Sequence, residues 1–300
     1  MADQQQTGPA QGAFRAVGRG LPRRKVLFAL DVFEDCGPPL EAVIALARRL
    51  DADVAGLLIE DEDVLALAHH PGTAFLSTLT VARQAVGPTD YERAYRYRVE
   101  SLRRQIEAIS HRRQVQIALQ VRRARMEAEV VAACAAGDLI VVTWSYGAPF
   151  GGALGRRARA GAAAAAIAEA ATGSVLLLRD SNPAGAALLV AYDGSVAAER
   201  AFAAASELGG RNGRQVTVLL GTRSLEQASV WGARLAERAA AEGLNLVLMQ
   251  GSSAAAEDLC AAAARLGPVL LVLGADQSLA QAEEGRALLD RVGCSVMLVR

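Results

Sequence analysis

The sequence predicts an α/β protein made of two tandem, open, parallel five-stranded sheets with helices on both faces. Short apolar strands alternate with helical stretches along almost the whole chain, the pattern of parallel strands joined by crossover helices. Two segments begin alike, Lys25-Val-Leu-Phe-Ala-Leu-Asp31 and Ala187-Leu-Leu-Val-Ala-Tyr-Asp193-Gly194-Ser195. Each is an apolar strand ending on an aspartate ahead of a helix, and a unit that recurs within one chain marks a repeat. The length agrees, because 300 residues are enough for two domains that each bury a core of their own.

In the first copy, a strand at 26–30 leads through a Gly-Pro-Pro turn into a helix at 40–50, where Val43, Ile44, Ala47 and Leu50 recur at helical spacing. A second strand at 54–59 runs into Glu60-Asp61-Glu62-Asp63 and a short apolar stretch at 64–68. An irregular section follows through His69-His70-Pro71-Gly72 to Pro88, and then an arginine- and glutamate-rich helix at 89–112. Strand three is expected at 115–121, a helix at 126–136 and strand four at 138–143. A glycine- and arginine-rich loop at 145–160 precedes an alanine-rich helix at 161–171 and strand five at 174–178.

Ser181-Asn182-Pro183-Ala184-Gly185 collects turn formers and reads as the linker. The second copy repeats the order, with strands at 188–192, 215–220, 244–249, 269–273 and 295–299 and helices at 197–208, 224–242, 254–266 and 283–292. The expected organisation is a flexible tail over 1–24, a first domain over 25–180 with an insertion at 60–112, a linker at 181–186, and a second domain over 187–300 with a shortened loop.

Composition narrows the function classes. Lys+Arg and Asp+Glu both number 32, so no overall field draws the chain to nucleic acid or to an anionic membrane. Lys25 is the only lysine, which removes most lysine-based catalysis. Cys36, Cys134, Cys260 and Cys294 show no C-x-x-C spacing and lie mostly in apolar runs, as expected of buried free thiols in a reducing compartment. The first 24 residues lack the apolar run of a signal peptide, and no stretch has the ~18 uninterrupted apolar residues of a membrane span. The expected location is the cytoplasm.

The strand pattern, the Val-Ala-Tyr-Asp193-Gly194-Ser195 start, and the closing segments Thr172-Gly173-Ser174-Val175-Leu176-Leu177-Leu178 and Gly293-Cys294-Ser295-Val296-Met297-Leu298-Val299 resemble the universal stress protein family. The resemblance covers both copies. It implies strand order 3-2-1-4-5 in each sheet and pairing between last-strand edges, which tandem copies can make within one chain. It also implies, in nucleotide-binding members, an aspartate after strand one and a G-x-x-G, nine residues, then G-[S/T] after strand four. Such a site has a physical basis. Ligands of open parallel sheets bind beyond the carboxyl ends of the strands where the order reverses, here between strands one and four. A glycine loop can lay backbone N–H groups on a phosphate at a helix start.

Carried onto the first copy, the pattern implies a site for ATP or AMP with Asp31 toward the ribose. Gly161-Ala162 falls at G-[S/T] and Gly151 at the second glycine, nine residues earlier. The first glycine falls on Ala148, beside Gly147. Ala162 has no hydroxyl for a phosphate, and Trp144 stands where the family is usually small. The loop adds Gly152, Gly155, Arg156, Arg157 and Arg159, whose guanidinium forks suit phosphate. The candidate nucleotide site is therefore Asp31, Gly147, Gly151, Gly152, Arg156, Arg157, Gly161 and Ala162. In the second copy the loop is gone, and Ala282-Glu283 stands at G-[S/T]. A glutamate there already satisfies the helix dipole that a phosphate would use, and Asp193 reads as a turn former.

No Ser/His/Asp or Cys/His set stands out. Glu60 to Asp63 with His69 and His70 lack metal-ligand spacing and read as a solvated charge run or helix start. Arg122, Arg123 and Arg125 read as a solvated patch, with an anion as the sharper alternative. Tyr91, Tyr95 and Tyr97 read as stem packing on the long helix. Two function classes follow. One is a stress-response binding or regulatory protein without turnover that senses an adenine nucleotide through the first copy. The other is a degenerate scaffold acting through protein partners or self-association, by way of residues 60–112 and the sheet edges.

Overall fold

The computed structural model describes residues 24–31, 36–62, 66, 74–76, 83–85, 88–143, 166–179, 185–210, 213–251, 256–276, 285, 288–289 and 291–300. In the first half, β1 (Lys25–Asp31), α1 (Gly37–Arg49) and β2 (Asp53–Asp61) are followed by a small antiparallel hairpin, β3 (Ala74–Leu76) with β4 (Arg83–Ala85). Then come α2 (Pro88–Arg113), β5 (Ile117–Ala124), α3 (Met126–Ala133), β6 (Leu139–Thr143) and β7 (Ser174–Leu178). The second half runs β8 (Ala187–Tyr192), α4 (Val196–Gly210), β9 (Gln215–Gly221), α5 (Leu225–Glu242) and β10 (Asn245–Gly251). It closes with α6 (Ala256–Leu266), β11 (Val269–Gly274) and β12 (Ser295–Val299).

Local chemistry accounts for the helix ends. α1 starts on prolines in its first turn and ends with Arg48 and Arg49, prolines that need no N–H there and cations that favour a helix carboxyl end. α5 starts at Ser224, whose hydroxyl accepts from the Gln227 N–H at 3.2 Å, and stops at Gly243 with φ +67°, the left-handed stop that glycine adopts without strain. Strands β6, β11 and β12 are buried along their full length. Their unbroken apolar sequences are what parallel strands covered on both faces require.

The sheet order is β10-β9-β8-β11-β12-β7-β6-β1-β2-β5. Counted along this sheet within each half, both read 3-2-1-4-5, and the pairings of this sheet inside each half are parallel. The two expected sheets are fused into one ten-stranded sheet by the antiparallel pair β7·β12, with Val296 opposite Leu177, Met297 opposite Leu176 and Leu298 opposite Val175. On one face the core gathers side chains of α1, α2, α4 and α5; on the other it gathers Val130, Ile167, Leu259 and Leu288. Because the seam is antiparallel, the carboxyl ends of β1 and β8 point to opposite ends of the molecule.

Several elements differ from expectation. The hairpin β3·β4 lies in the stretch read as irregular, where Pro71, Gly72 and Pro88 hide any periodicity. β2 continues to Asp61 because its pairing with β5 continues to Ala124, and strand three accordingly lies later than expected. α2 fills the place between β2 and β5 that α5 fills between β9 and β10, so the extra residues of the first half fall between β2 and α2 and, in the longer stretch after strand four, between β6 and β7. The expected tail at 1–23 and the linker residues 181–184 lie outside the described residues.

Candidate functional site

In each half the adjacent strands one and four send their following helices to opposite faces, and at such a reversal of strand order open sheets open a crevice. In the first half β1 leads to α1 on one face, while the helical residue Ile167, which follows β6, packs on the other. In the second half β8 leads to α4 and β11 is followed by Leu288 and Leu289 on the opposite face. The two crevices can be compared directly.

Around the second-half crevice the described groups contact one another closely. Asp193 Oδ1 accepts the Ser195 N–H at 3.0 Å, and Ser195 Oγ accepts the Ala198 N–H at 3.1 Å. The aspartate thus closes a turn and the serine caps α4. Gly194 has φ +79°, and a Cβ built on it would stand 2.4 Å from Trp231 Cζ2. Trp231 in turn meets Tyr192 edge-on, ring centroids 5.6 Å apart. Across the crevice, a Cβ on Gly274 would fall 2.4 Å from the Ala197 carbonyl oxygen, so β11 and the first turn of α4 touch backbone to backbone. Arg200 of α4 pairs with Asp276 after β11.

A polar network lies behind Trp231. Arg234 contacts both the Tyr192 hydroxyl and Glu199, and Arg238 reaches Glu199 at 3.3 Å and Glu242 at 3.1 Å. Arg238 also stacks over Phe202 with its carbon 5.1 Å from the ring centre. Burial pushes the Tyr192 phenol above its ordinary range, against the pull of the Arg234 guanidinium. Sequence reasoning missed this network. Glu199 with Arg234 and Arg238 are separated in the chain, and only the spacing of the two arginines along one face of α5 hints at a shared partner.

In the first half, the backbone of Asp31 closes β1, paired with Ile59 of β2, while β6 flanks β1 on the other side and ends at Thr143. The glycine- and arginine-rich segment issues directly from Thr143 in the sequence. Gly147, Gly151, Gly152, Arg156, Arg157, Gly161 and Ala162 lie outside the described residues, as does the side chain of Asp31.

The arginines on β5 are far from that crevice, because β2 and β1 stand between β5 and β6. Arg123 pairs with Glu60 and Arg122 with Glu129 at 3.3 Å, so each positive charge already faces a carboxylate. Both guanidinium groups stay close to half exposed, so the patch is solvated as expected, with ion pairs added. Glu60, in contrast, is not part of a solvated run: its side chain is 1% exposed, since β2 extends far enough to turn it inward. The hydrogen bond that Arg123 Nε–H donates to Glu60 holds Arg123 more firmly protonated, and burial with the nearby Glu60 charge pushes the Tyr95 phenol up. Tyr95 packs against the core as expected, whereas Tyr97 is exposed. No group of three metal-ligating side chains occurs among the described residues. The four cysteines are free, Cys36 buried and the others half-buried. No helix among the described residues is long and apolar enough to cross a membrane.

Comparison with known proteins places the fold. A universal stress protein of Archaeoglobus fulgidus DSM 4304 superposes with TM-score 0.63 at 11% identity, covering 91% of this chain and 96% of that one. A Pseudomonas aeruginosa UCBPP-PA14 protein provisionally named for the same family gives TM-score 0.54 at 14% identity, covering 92% and 93%. A functionally unknown protein of Pseudomonas aeruginosa PAO1 gives TM-score 0.51 at 14% identity, covering 92% of each chain. The fold is that of the universal stress proteins over nearly the whole length. No family model matches the sequence, and neither does any curated protein.

Proposed function

We propose that this chain is a stress-response regulator of the cytoplasm that senses an adenine nucleotide, ATP or AMP, through its first half and acts by binding rather than turnover. The supporting observation is the contrast between the two crevices. In the second, Trp231 abuts Gly194, Ala197 abuts Gly274 and Arg200 pairs with Asp276, whereas the first has Asp31 at the end of β1 and, in the sequence after β6, a glycine- and arginine-rich segment. In this reading Asp31 accepts from the ribose and the backbone N–H groups of Gly151, Gly152, Gly161 and Ala162 face the phosphates. Gly147 supplies the loop's first bend, and Arg156 or Arg157 supplies charge.

Purified protein is denatured and any released nucleotide identified by mass, alongside thermal shifts with ATP, ADP and AMP. A ligand that binds only the folded state raises the melting temperature. Asp31→Ala combined with Gly161→Glu is expected to abolish the shift, and an unchanged shift refutes this placement. A second reading, an interaction scaffold, is favoured by one observation: the outer edge of β10 is apolar and exposed.

A further inference from the structure

The sheet has two outer edges, and they are built differently. β5, at one end, carries Arg122 and Arg123, each tied to a carboxylate on a neighbouring element. Charges on an edge strand are the usual guard against pairing with another chain. β10, at the other end, reads Asn-Leu-Val-Leu-Met-Gln-Gly over residues 245–251 and has neither charge nor proline. It pairs only with β9. Val247 is 36% and Leu248 39% exposed, although both belong to a sheet strand. Leu248 lies on the α5 side, where its Cδ1 would stand 3.1 Å from a Cβ on Gly232.

We propose that β10 is a pairing edge for a second copy of this chain, joined antiparallel about a two-fold axis at Leu248. Three features select that occupant. Antiparallel self-pairing centred on Leu248 sets it opposite its own copy, Val247 opposite Met249, and Leu246 opposite Gln250, so apolar side chains meet mostly apolar ones and no like charges meet. A two-fold contact uses the same patch on both copies and closes, whereas a β10-to-β5 contact would be head-to-tail and open-ended, and it would have to form against the arginine-bearing edge. The chain already uses antiparallel edge pairing to join its own halves at β7·β12; β10 repeats that solution between chains and extends the sheet continuously. This inference does not depend on the nucleotide reading.

The test is the mass of the full chain in solution by light scattering across a concentration series. The chain mass is 31.3 kDa, and the expected result is a species of twice that mass. Val247→Lys is expected to return it to one chain mass with an unchanged circular dichroism spectrum, while Val247→Thr keeps the dimer. Leu248→Cys is expected to cross-link two copies on oxidation, and Leu225→Cys on exposed α5 is not. A wild-type chain that stays at one chain mass throughout overturns the proposal, even if β10 captures some other protein. So does a dimer that survives Val247→Lys with the fold intact, or one that Leu248→Cys fails to cross-link. If Val247→Lys does not fold, the Leu248→Cys cross-link decides.

Discussion

Asp138 binds the start of the first half together. Its carboxylate accepts from the backbone N–H groups of Lys25 and Ala135, each at 3.0 Å, and faces the Lys25 ammonium at 3.4 Å, and the residue is buried. Asp138→Ala leaves two N–H groups and a partly buried cation without that acceptor, and is expected to cost about 2–4 kcal/mol in denaturant unfolding. Gly194→Ala meets both a positive φ and the Trp231 ring, so a loss of about 1–3 kcal/mol is expected. Burial pushes the Cys294 thiol up to about 11. A group with a raised folded pKa contributes stability that is fully present below its unfolded value and is lost as pH rises through the folded one. The unfolding free energy should therefore fall between about pH 9 and 11, and Cys294→Ser should flatten that slope. The lone lysine was readable as a catalytic exclusion. Its structural part, holding Asp138 and the Ala133 carbonyl, was not, because the partners lie over a hundred residues away.

At the scale of elements, the strands with continuous apolar runs were legible, since full burial on both faces demands such runs. The hairpin β3·β4 was not, because three-residue strands carry too little pattern to stand out from a loop. Glu60 was misread because its run of acids resembles a surface; only the length of β2 and the partner on β5 turn it inward. The seam β7·β12 is an antiparallel joint between two parallel sheets, and both strands are almost wholly buried. Leu176→Asp puts a charge opposite Met297 with no cation facing it in that pair. It is expected to destabilise both halves together, so that circular dichroism and the fluorescence of second-half Trp231, followed with Trp144→Phe in the background, shift by the same amount. A first half that melts alone would show that the seam couples the halves weakly.

At the scale of the whole molecule, two copies of one fold have diverged at their strand ends. The repeat is written in apolar periodicity and matching starts, whereas the strand order and the intramolecular edge pairing were implied only by the family resemblance. The fate of the second crevice was only half legible. The lost loop and Glu283 pointed to it, but Trp231 and the backbone contact at Gly274 became visible only in three dimensions. The same asymmetry extends to the outer edges, with β5 guarded by ion-paired arginines and β10 bare. The chain is thus two like halves of one sheet whose strand-end chemistry differs, and nucleotide sensing by the first half is the proposal that rests on that difference.

The most direct measurement is the stoichiometry of ATP binding by titration calorimetry, in the wild-type chain and in Asp31→Ala and Asp193→Ala. The account predicts one nucleotide per chain, abolished by Asp31→Ala and retained in Asp193→Ala. No binding, two nucleotides per chain, or binding lost with Asp193→Ala but kept with Asp31→Ala would contradict it.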